Sequence, residues 1–396
     1  MTRRIISLLC AAAVFVGMAG CGAEKSPAPA ESAGSMVKED TGMKGTRLTD
    51  ENAKLTGRAF PAESGTLWCA LSGSGAEFEF TGKNLDIMVE GDGVSQSGPR
   101  DNYARIAIYV DGERVVDDLL NEGIKKYTPI SGDSVVTKTV KIVKLSETAM
   151  SCFGIMPLQL EEGASVKPTA PKAHRIEIIG DSITCGYGVD DEDPTHNFKT
   201  STEDVTKAYS YKTVQALDVD YSLFSISGWG VISGWTGDGT QKPDQQIPLY
   251  YEKYGFTYGG FGDTKPQDMD WDFSRFQPEL VIINLGTNDD SYCGTNEDRR
   301  ADYSAGYVEF LKTVRRCNPD ARILCVLGIM GDALYPTVEE TVAKYSEETG
   351  DTNISAFHFE PQKPEDGLAA DYHPTEVTHT KAAEALTAEV KSIMGW

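Results

Sequence analysis

Four short segments carry the residue types that acyl transfer requires. Gly180-Asp181-Ser182 follows the apolar run Arg175 to Ile179, and Gly228-Trp229-Gly230 follows Tyr221 to Ser227. Thr287-Asn288-Asp289-Asp290 follows Glu279 to Gly286, and His373 lies in "ADYHPTEVTH" just ahead of the last helical stretch. A serine hydroxyl is a weak nucleophile until a base takes its proton, and His373 is the candidate base for Ser182. The tetrahedral intermediate carries an oxyanion, for which the amides of Ser182 and Gly228 and the side-chain NH2 of Asn288 offer three donors. Losing one such donor typically costs ~3 kcal/mol of barrier. Each segment alone is common; their order, each after a successive strand, is what carries the reading. The Gly-x-Ser-x-Gly elbow of α/β-hydrolases is absent around Ser182.

The elements that must position these residues change character along the chain. Within 49–167 the apolar pattern has period two, as in "AEFEFTG" (Ala76 to Gly82), "YARIAIYVDG" (Tyr103 to Gly112) and "TVKIVKL" (Thr139 to Leu145). Short alternating strands divided by turns such as Asp111-Gly112 predict an all-β sandwich, with "DDLLNEG" (Asp117 to Gly123) the one hint of a helix. Pro168 and Pro171 mark a joint. Over 172–396 continuous apolar strands alternate with helical stretches, which predicts five β-α repeats in a doubly wound α/β domain whose parallel sheet is covered on both faces. Ligands of such sheets sit beyond the carboxyl ends of the strands, where the four segments lie.

A chain of 396 residues exceeds what one core usually supports, consistent with two domains. The net charge of −23 argues against a nucleic-acid partner, because phosphate binding needs clustered Lys and Arg. Arg3 and Arg4, the apolar run Ile5 to Val16 and Met18-Ala19-Gly20-Cys21 read as an export signal over 1–21. The last four residues resemble a lipobox, with Cys21 lipidated as the sole membrane attachment of a bacterial cell-surface protein; without lipidation the protein is secreted. Residues 22–48, rich in Ala, Ser, Gly, Glu and Pro, are predicted to form a disordered tether. No paired CxxC occurs, and neither a metal nor a cofactor is expected.

Gly-Asp-Ser-Ile at 180–183, Ser-Gly-Trp-Gly at 227–230, Gly-Thr-Asn-Asp at 286–289 and Asp-Tyr-His-Pro at 371–374 resemble the four blocks of the SGNH (GDSL-like) hydrolases. The longer string "GDSITCGYG", placed after a β domain, is similar to the second carbohydrate esterase family, acetyl-xylan esterases with a jelly-roll domain ahead of the catalytic one. The resemblance runs from about Gly57 to Trp396. It implies Ser182 as nucleophile, Ser182, Gly228 and Asn288 as the oxyanion hole, His373 as base, and O-acetyl groups of xylan or glucomannan as substrate. Many SGNH enzymes place an orienting aspartate three residues before the histidine; here that position is Ala370, and Asp371 is the nearest acid. Members of the esterase family use either a triad or a Ser-His dyad oriented by a backbone carbonyl, so Asp371 as third member stays open. Esters of peptidoglycan or lipid, or a non-catalytic carbohydrate-binding role, are the alternatives.

Other residues invite simpler readings. His174, His196, His358 and His379 read as structural or surface groups. The acidic run Val189 to His196 does not match a calcium loop and reads as a solvated rim. Tyr250, Tyr251 and Trp271 read as core anchors, whereas Trp229, Trp235 and Tyr292 flank Gly228 and Asn288 and are expected to line the sugar site. Cys185 and Cys293 fall near the same strand edge, and a disulfide between them is expected in an exported protein.

Overall fold

The computed structural model describes residues 45–94 and 98–396. The signal segment, Cys21 and most of the tether lie outside them. Thr46 and Leu158 exchange backbone hydrogen bonds of 2.8 and 2.9 Å, and Leu48 is buried in the sandwich core. The predicted tether is therefore too long at its carboxyl end, because residues 46–48 are already bonded into the fold.

Eleven strands build the first half: β1 (Lys54–Thr56), β2 (Phe60–Pro61), β3 (Leu67–Cys69), β4 (Gly75–Gly82), β5 (Leu85–Gly91), β6 (Arg105–Val110), β7 (Glu113–Leu119), β8 (Ile124–Ile130), β9 (Val136–Lys144), β10 (Phe153–Ile155) and β11 (Ser165–Pro168). They form two antiparallel sheets, β1-β4-β9-β6-β7 with β11 beside β4, and β2-β3-β10-β5-β8. Most connections switch sheets, as in a jelly roll. Alternation decides what is buried: in β4, Ala76, Phe78 and Phe80 face the core while Glu77, Glu79 and Thr81 face outward. "DDLLNEG" is not helical, since Asp117 to Leu119 complete β7 and pair with Arg105 to Ala107.

The second half carries β12 (Arg175–Gly180), β13 (Asp220–Ser225), β14 (Leu280–Asn284), β15 (Arg322–Leu327) and β16 (Ile354–His358), all parallel in the order β13-β12-β14-β15-β16. Its helices are α1 (Ser182–Cys185), α2 (Tyr209–Ala216), α3 (Thr287–Cys293), α4 (Glu297–Cys317), α5 (Tyr335–Thr349) and α6 (Glu376–Met394). Helices α2 and α6 cover one face through Tyr209, Val214, Leu386 and Val390 against Ile178, Ile282 and Leu324. Helices α4 and α5 cover the other through Tyr307, Leu311, Val314 and Val338 against Ile283, Ile323 and Cys325. The five predicted β-α repeats are not all present: among the described residues no α-helix follows β13, and 226–279 runs as loops and short 3₁₀ turns packed with aromatic rings.

Register places the site. Gly180 at the end of β12 lies beside Ser225 of β13 and Asn284 of β14. The order reverses at β12, so this crevice is the switch point where doubly wound sheets bind ligands.

The sandwich and the sheet belong to one compact unit spanning Gly45 to Trp396. Arg58 of the sandwich, 1% exposed, joins them. Its guanidinium meets Glu177 of β12 at 3.2 Å, donates to the carbonyls of Tyr251 and Lys253, and lies 4.4 Å from the Phe224 ring. Removing one partner of a buried pair leaves the other charge uncompensated. Arg58→Ala is expected to lower the unfolding free energy by about 3–5 kcal/mol, read from the urea midpoint; an unchanged midpoint would show that the pair adds nothing.

Candidate active site

Ser182 is the first residue of α1, directly after the N-cap Asp181, whose carboxylate accepts the Ile183 amide at 3.0 Å. This short turn sets the Ser182 side chain against the base: Ser182 Oγ and His373 Nε2 are 2.9 Å apart. His373 Nδ1 lies 3.2 Å from the Asp371 backbone carbonyl. A carbonyl only accepts, so Nδ1 carries the ring proton and Nε2 keeps its lone pair toward Ser182. The sequence left Asp371 open as a third member, and the structure divides that residue in two. Its carbonyl faces the imidazole, while its carboxylate turns away to accept the Tyr187 hydroxyl at 2.7 Å and the Phe198 amide at 2.9 Å. Two consecutive left-handed residues, Asp371 at φ 51° and Tyr372 at φ 62°, produce that orientation.

Burial is the largest influence on His373 and disfavours the imidazolium, bringing its pKa down to about 4 against the opposing pull of the Asp371 carbonyl and carboxylate. The ring is therefore neutral at pH 7, the state a base needs. Burial also pushes Asp181 up to about 7, helped by the neighbouring Asp289, which burial in turn raises to about 6.

Opposite the serine, the Ile226 carbonyl accepts the Trp229 amide, closing a turn whose third residue is Gly228 at φ +79°, where a type II turn calls for glycine. Among the described residues neither the Ser182 nor the Gly228 amide meets a protein acceptor. Asn288 Nδ2 donates to Asp181 Oδ2 at 3.0 Å and to the Trp229 carbonyl at 2.9 Å. Both its hydrogens are engaged, so Asn288 ties the Ser182 turn to the Gly228 turn. The adjacent Asp289, not singled out from sequence, accepts the amides of Val231, Ile232 and Ser233 at 2.8–3.1 Å and anchors the same loop. A Cβ on Gly230 would lie 2.4 Å from Asp289 Oδ2, so only glycine lets the loop come this close. Asp289 could have been suspected as the acid following Asn288.

The aromatic expectations divide. Trp229 is 4% exposed and packs on Tyr250 and Phe256, so its ring is a core anchor and cannot face a sugar. Tyr292, on α3, is half-buried, with the Arg299 guanidinium 4.4 Å from its ring. Trp235 is 52% exposed, and its amide donates to the Gly228 carbonyl at 2.7 Å, which pins an open indole beside the turn. The predicted disulfide is absent: all six described cysteines are free. Cys185 Sγ points to the Asp181 carbonyl and Ser227 Oγ, and Cys293 Sγ to the Arg299 carbonyl. Tyr251 and Trp271 are buried as expected, and His379 is a buried group on α6 whose Nδ1 accepts the Tyr209 amide. The acidic run is more than a solvated rim. Asp190 pairs with Arg105 and Lys207, and the carbonyls of Asp191 and His196 accept the amides of Ala370 and Asp371.

A profile of the GDSL-like Lipase/Acylhydrolase family matches residues 178–381, and one described as Carbohydrate esterase 2 N-terminal matches 55–171. Cellulase/esterase CelE of Acetivibrio thermocellus is 29% identical over 332 residues, covering 83% of this chain and 38% of CelE. An acetylxylan esterase / glucomannan deacetylase of Cellvibrio japonicus is 29% identical over 304 residues, covering 75% of each chain. The structure of a family two carbohydrate esterase from Clostridium thermocellum in complex with cellohexaose superposes with a TM-score of 0.75 at 26% identity, covering 87% of this chain and 99% of that one. This chain thus spans well under half of CelE.

A buried neutral imidazole makes a direct prediction. In the folded protein, histidine 15N NMR is expected to show His373 as the Nδ1-H tautomer at pH 7, protonating near pH 4 and not near 6.5.

Proposed function

Because the chain belongs to the GDSL-like Lipase/Acylhydrolase family, we propose that it is a serine esterase removing O-acetyl groups from plant-type polysaccharides such as xylan or glucomannan. The observation that carries this reading is the 2.9 Å contact between Ser182 Oγ and a His373 Nε2 left unprotonated by its carbonyl partner. His373 takes the Ser182 proton as Oγ attacks the acetyl carbon. The oxyanion is bound by the amides of Ser182 and Gly228, with Asn288 exchanging one internal bond to become a third donor. Collapse of the intermediate expels the sugar oxygen, which takes the proton from His373. Water, deprotonated by the same nitrogen, then attacks the acetyl-Ser182 ester, releases acetate and restores the serine.

The polysaccharide class rests on the acetylxylan esterase relatives and on the sandwich domain they share with this chain. Trp235 is the aromatic platform for a sugar ring, being exposed and fixed to the Gly228 turn. The export signal and Cys21 lipidation, outside the described residues, belong to the same reading: an enzyme held at the cell surface by a lipid and reaching acetylated chains outside it. The reading keeps two domains, given from sequence as 49–167 and 172–396; the bonding of residues 46–48 into the sandwich and the end of β11 at Pro168 favour slightly wider limits for the first.

Ser182→Ala is expected to reduce hydrolysis of p-nitrophenyl acetate and acetylated xylan by about 10⁵-fold or more, and Asn288→Ala by roughly 10²–10³ in kcat. Activity surviving Ser182→Ala would end the assignment. Trp235→Ala is expected to raise KM on acetylated xylo-oligosaccharides about five- to tenfold, and to raise it less on p-nitrophenyl acetate. Equal effects on both substrates would remove Trp235 from sugar binding.

A further inference from the structure

The turn that feeds a carbonyl to His373 is costly by itself. Left-handed backbone is unfavourable for a non-glycine residue, and Asp371 and Tyr372 adopt it in succession. Such a turn persists only where its surroundings over-determine it. Here they come mainly from the chain leaving α1, joined by the Gln362 side-chain amide, which donates to the Tyr372 carbonyl at 2.9 Å. The carbonyls of Asp191 and His196 accept the amides of Ala370 at 2.8 Å and Asp371 at 3.0 Å. The Asp371 carboxylate is fixed by the Tyr187 hydroxyl and the Phe198 amide. The Tyr187 ring also lies on the imidazole, with centroids 4.0 Å apart and planes at 24°, and the Phe198 ring backs it at 4.6 Å and 28°.

We propose that Tyr187 and the Asp371 carboxylate are positioning residues of the His373 base, a role that nothing in the linear motif assigns and that rests on the Ser182–His373 reading above. Tyr187 acts in two ways. Its hydroxyl clamps the Asp371 side chain, which keeps the Asp371 carbonyl at Nδ1. Its ring face holds the imidazole plane in line with Ser182 Oγ and stabilises the imidazolium formed at each proton transfer, as an aromatic face does for a cation. The carboxylate that a triad would place on Nδ1 is thus retained one turn away, where it braces the carbonyl and contributes negative charge near the ring. Burial and the adjacent carboxylate hold the Tyr187 phenol protonated, so it remains a donor throughout. The nearby His379, whose pKa burial lowers to about 3, stays neutral and does not compete for this charge.

Three substitutions in the full chain separate these roles: Tyr187→Phe removes the hydroxyl and keeps the ring, Tyr187→Leu removes both, and Asp371→Asn keeps an acceptor and removes the charge. Steady-state kinetics on p-nitrophenyl acetate would be read together with the His373 Nδ1-H resonance in NMR and a thermal melt. The expected result is a kcat about tenfold lower for Tyr187→Phe and about 10²-fold lower for Tyr187→Leu, the cost of a misplaced catalytic group, with KM within about twofold. The protected Nδ1-H signal should broaden or vanish in both Tyr187 variants. Asp371→Asn should cost less than Tyr187→Leu. Wild-type kcat and an intact Nδ1-H signal in Tyr187→Phe and Tyr187→Leu would overturn the proposal. So would a fall of about 10⁴ in Asp371→Asn beside a normal Tyr187→Phe, since that is the loss expected when a carboxylate bonds Nδ1 directly. A wild-type enzyme without Ser182-dependent activity would instead defeat the dyad reading itself, and this inference with it.

Discussion

A single hydrogen bond, from His373 Nδ1 to the Asp371 carbonyl, sets the terms for the rest of the site. A carbonyl cannot be protonated at neutral pH and cannot donate, so it fixes the imidazole tautomer as firmly as a carboxylate does. It brings no full charge of its own to the ring, and it must be aimed by the backbone. The aiming requires Asp371 and Tyr372 in left-handed conformation. That conformation depends in turn on the chain between Tyr187 and Phe198, whose amide, carbonyls and phenol meet the turn from several sides. The nucleophile and most of the support of its base therefore arise from one continuous stretch, beginning at Ser182.

The sandwich belongs to this arrangement. Arg105 of β6 pairs with Asp190, and Arg114 of β7 pairs with Asp204, so the loop that braces Asp371 is itself moored to the β domain. Glu147, just after β9, receives the amides of Met150 and Ser227, the latter adjoining Gly228. The Glu147 amide donates to the Glu203 carboxylate at 2.8 Å. Burial raises the pKa of both carboxyls, and the neighbouring Glu147 charge raises that of Glu203 further. Together with Arg58 on Glu177, these contacts make the two layers one body, and that body holds the two turns of the site at fixed separation.

The opposite wall is organised by carboxylates acting as structural acceptors. Asp181 caps the Ser182 turn, and Asp289 gathers three consecutive amides of the Val231–Ser233 loop. Asn288 bridges them by donating to Asp181 and to the Trp229 carbonyl. Trp229 contributes its carbonyl to the site and its ring to the core, the reverse of what an aromatic beside a motif glycine suggests.

Much of this was legible in the chain. Period-two alternation and continuous apolar runs are local signals, so the sandwich, the parallel sheet, the position of Ser182, Gly228 and Asn288 after strand ends and that of His373 just before the last helix could be read directly. Ser182 and His373 do meet: β12 delivers Ser182 to the edge of the sheet, and the turn before α6, bonded to the carbonyls of Asp191 and His196, brings His373 to it. What the tertiary structure decided were matters of direction. Whether Asp371 offers a carboxylate or a carbonyl depends on the sign of its φ. The Cys185 and Cys293 thiols turn to different partners. For Trp229 and Trp235, exposure follows from how the stretch 226–279, which has no α-helix, packs after β13. Spacing along a chain places a residue near an edge; which atom it presents there is set by torsions and neighbours that arrive from distant positions, and these are fixed only when the chain is folded.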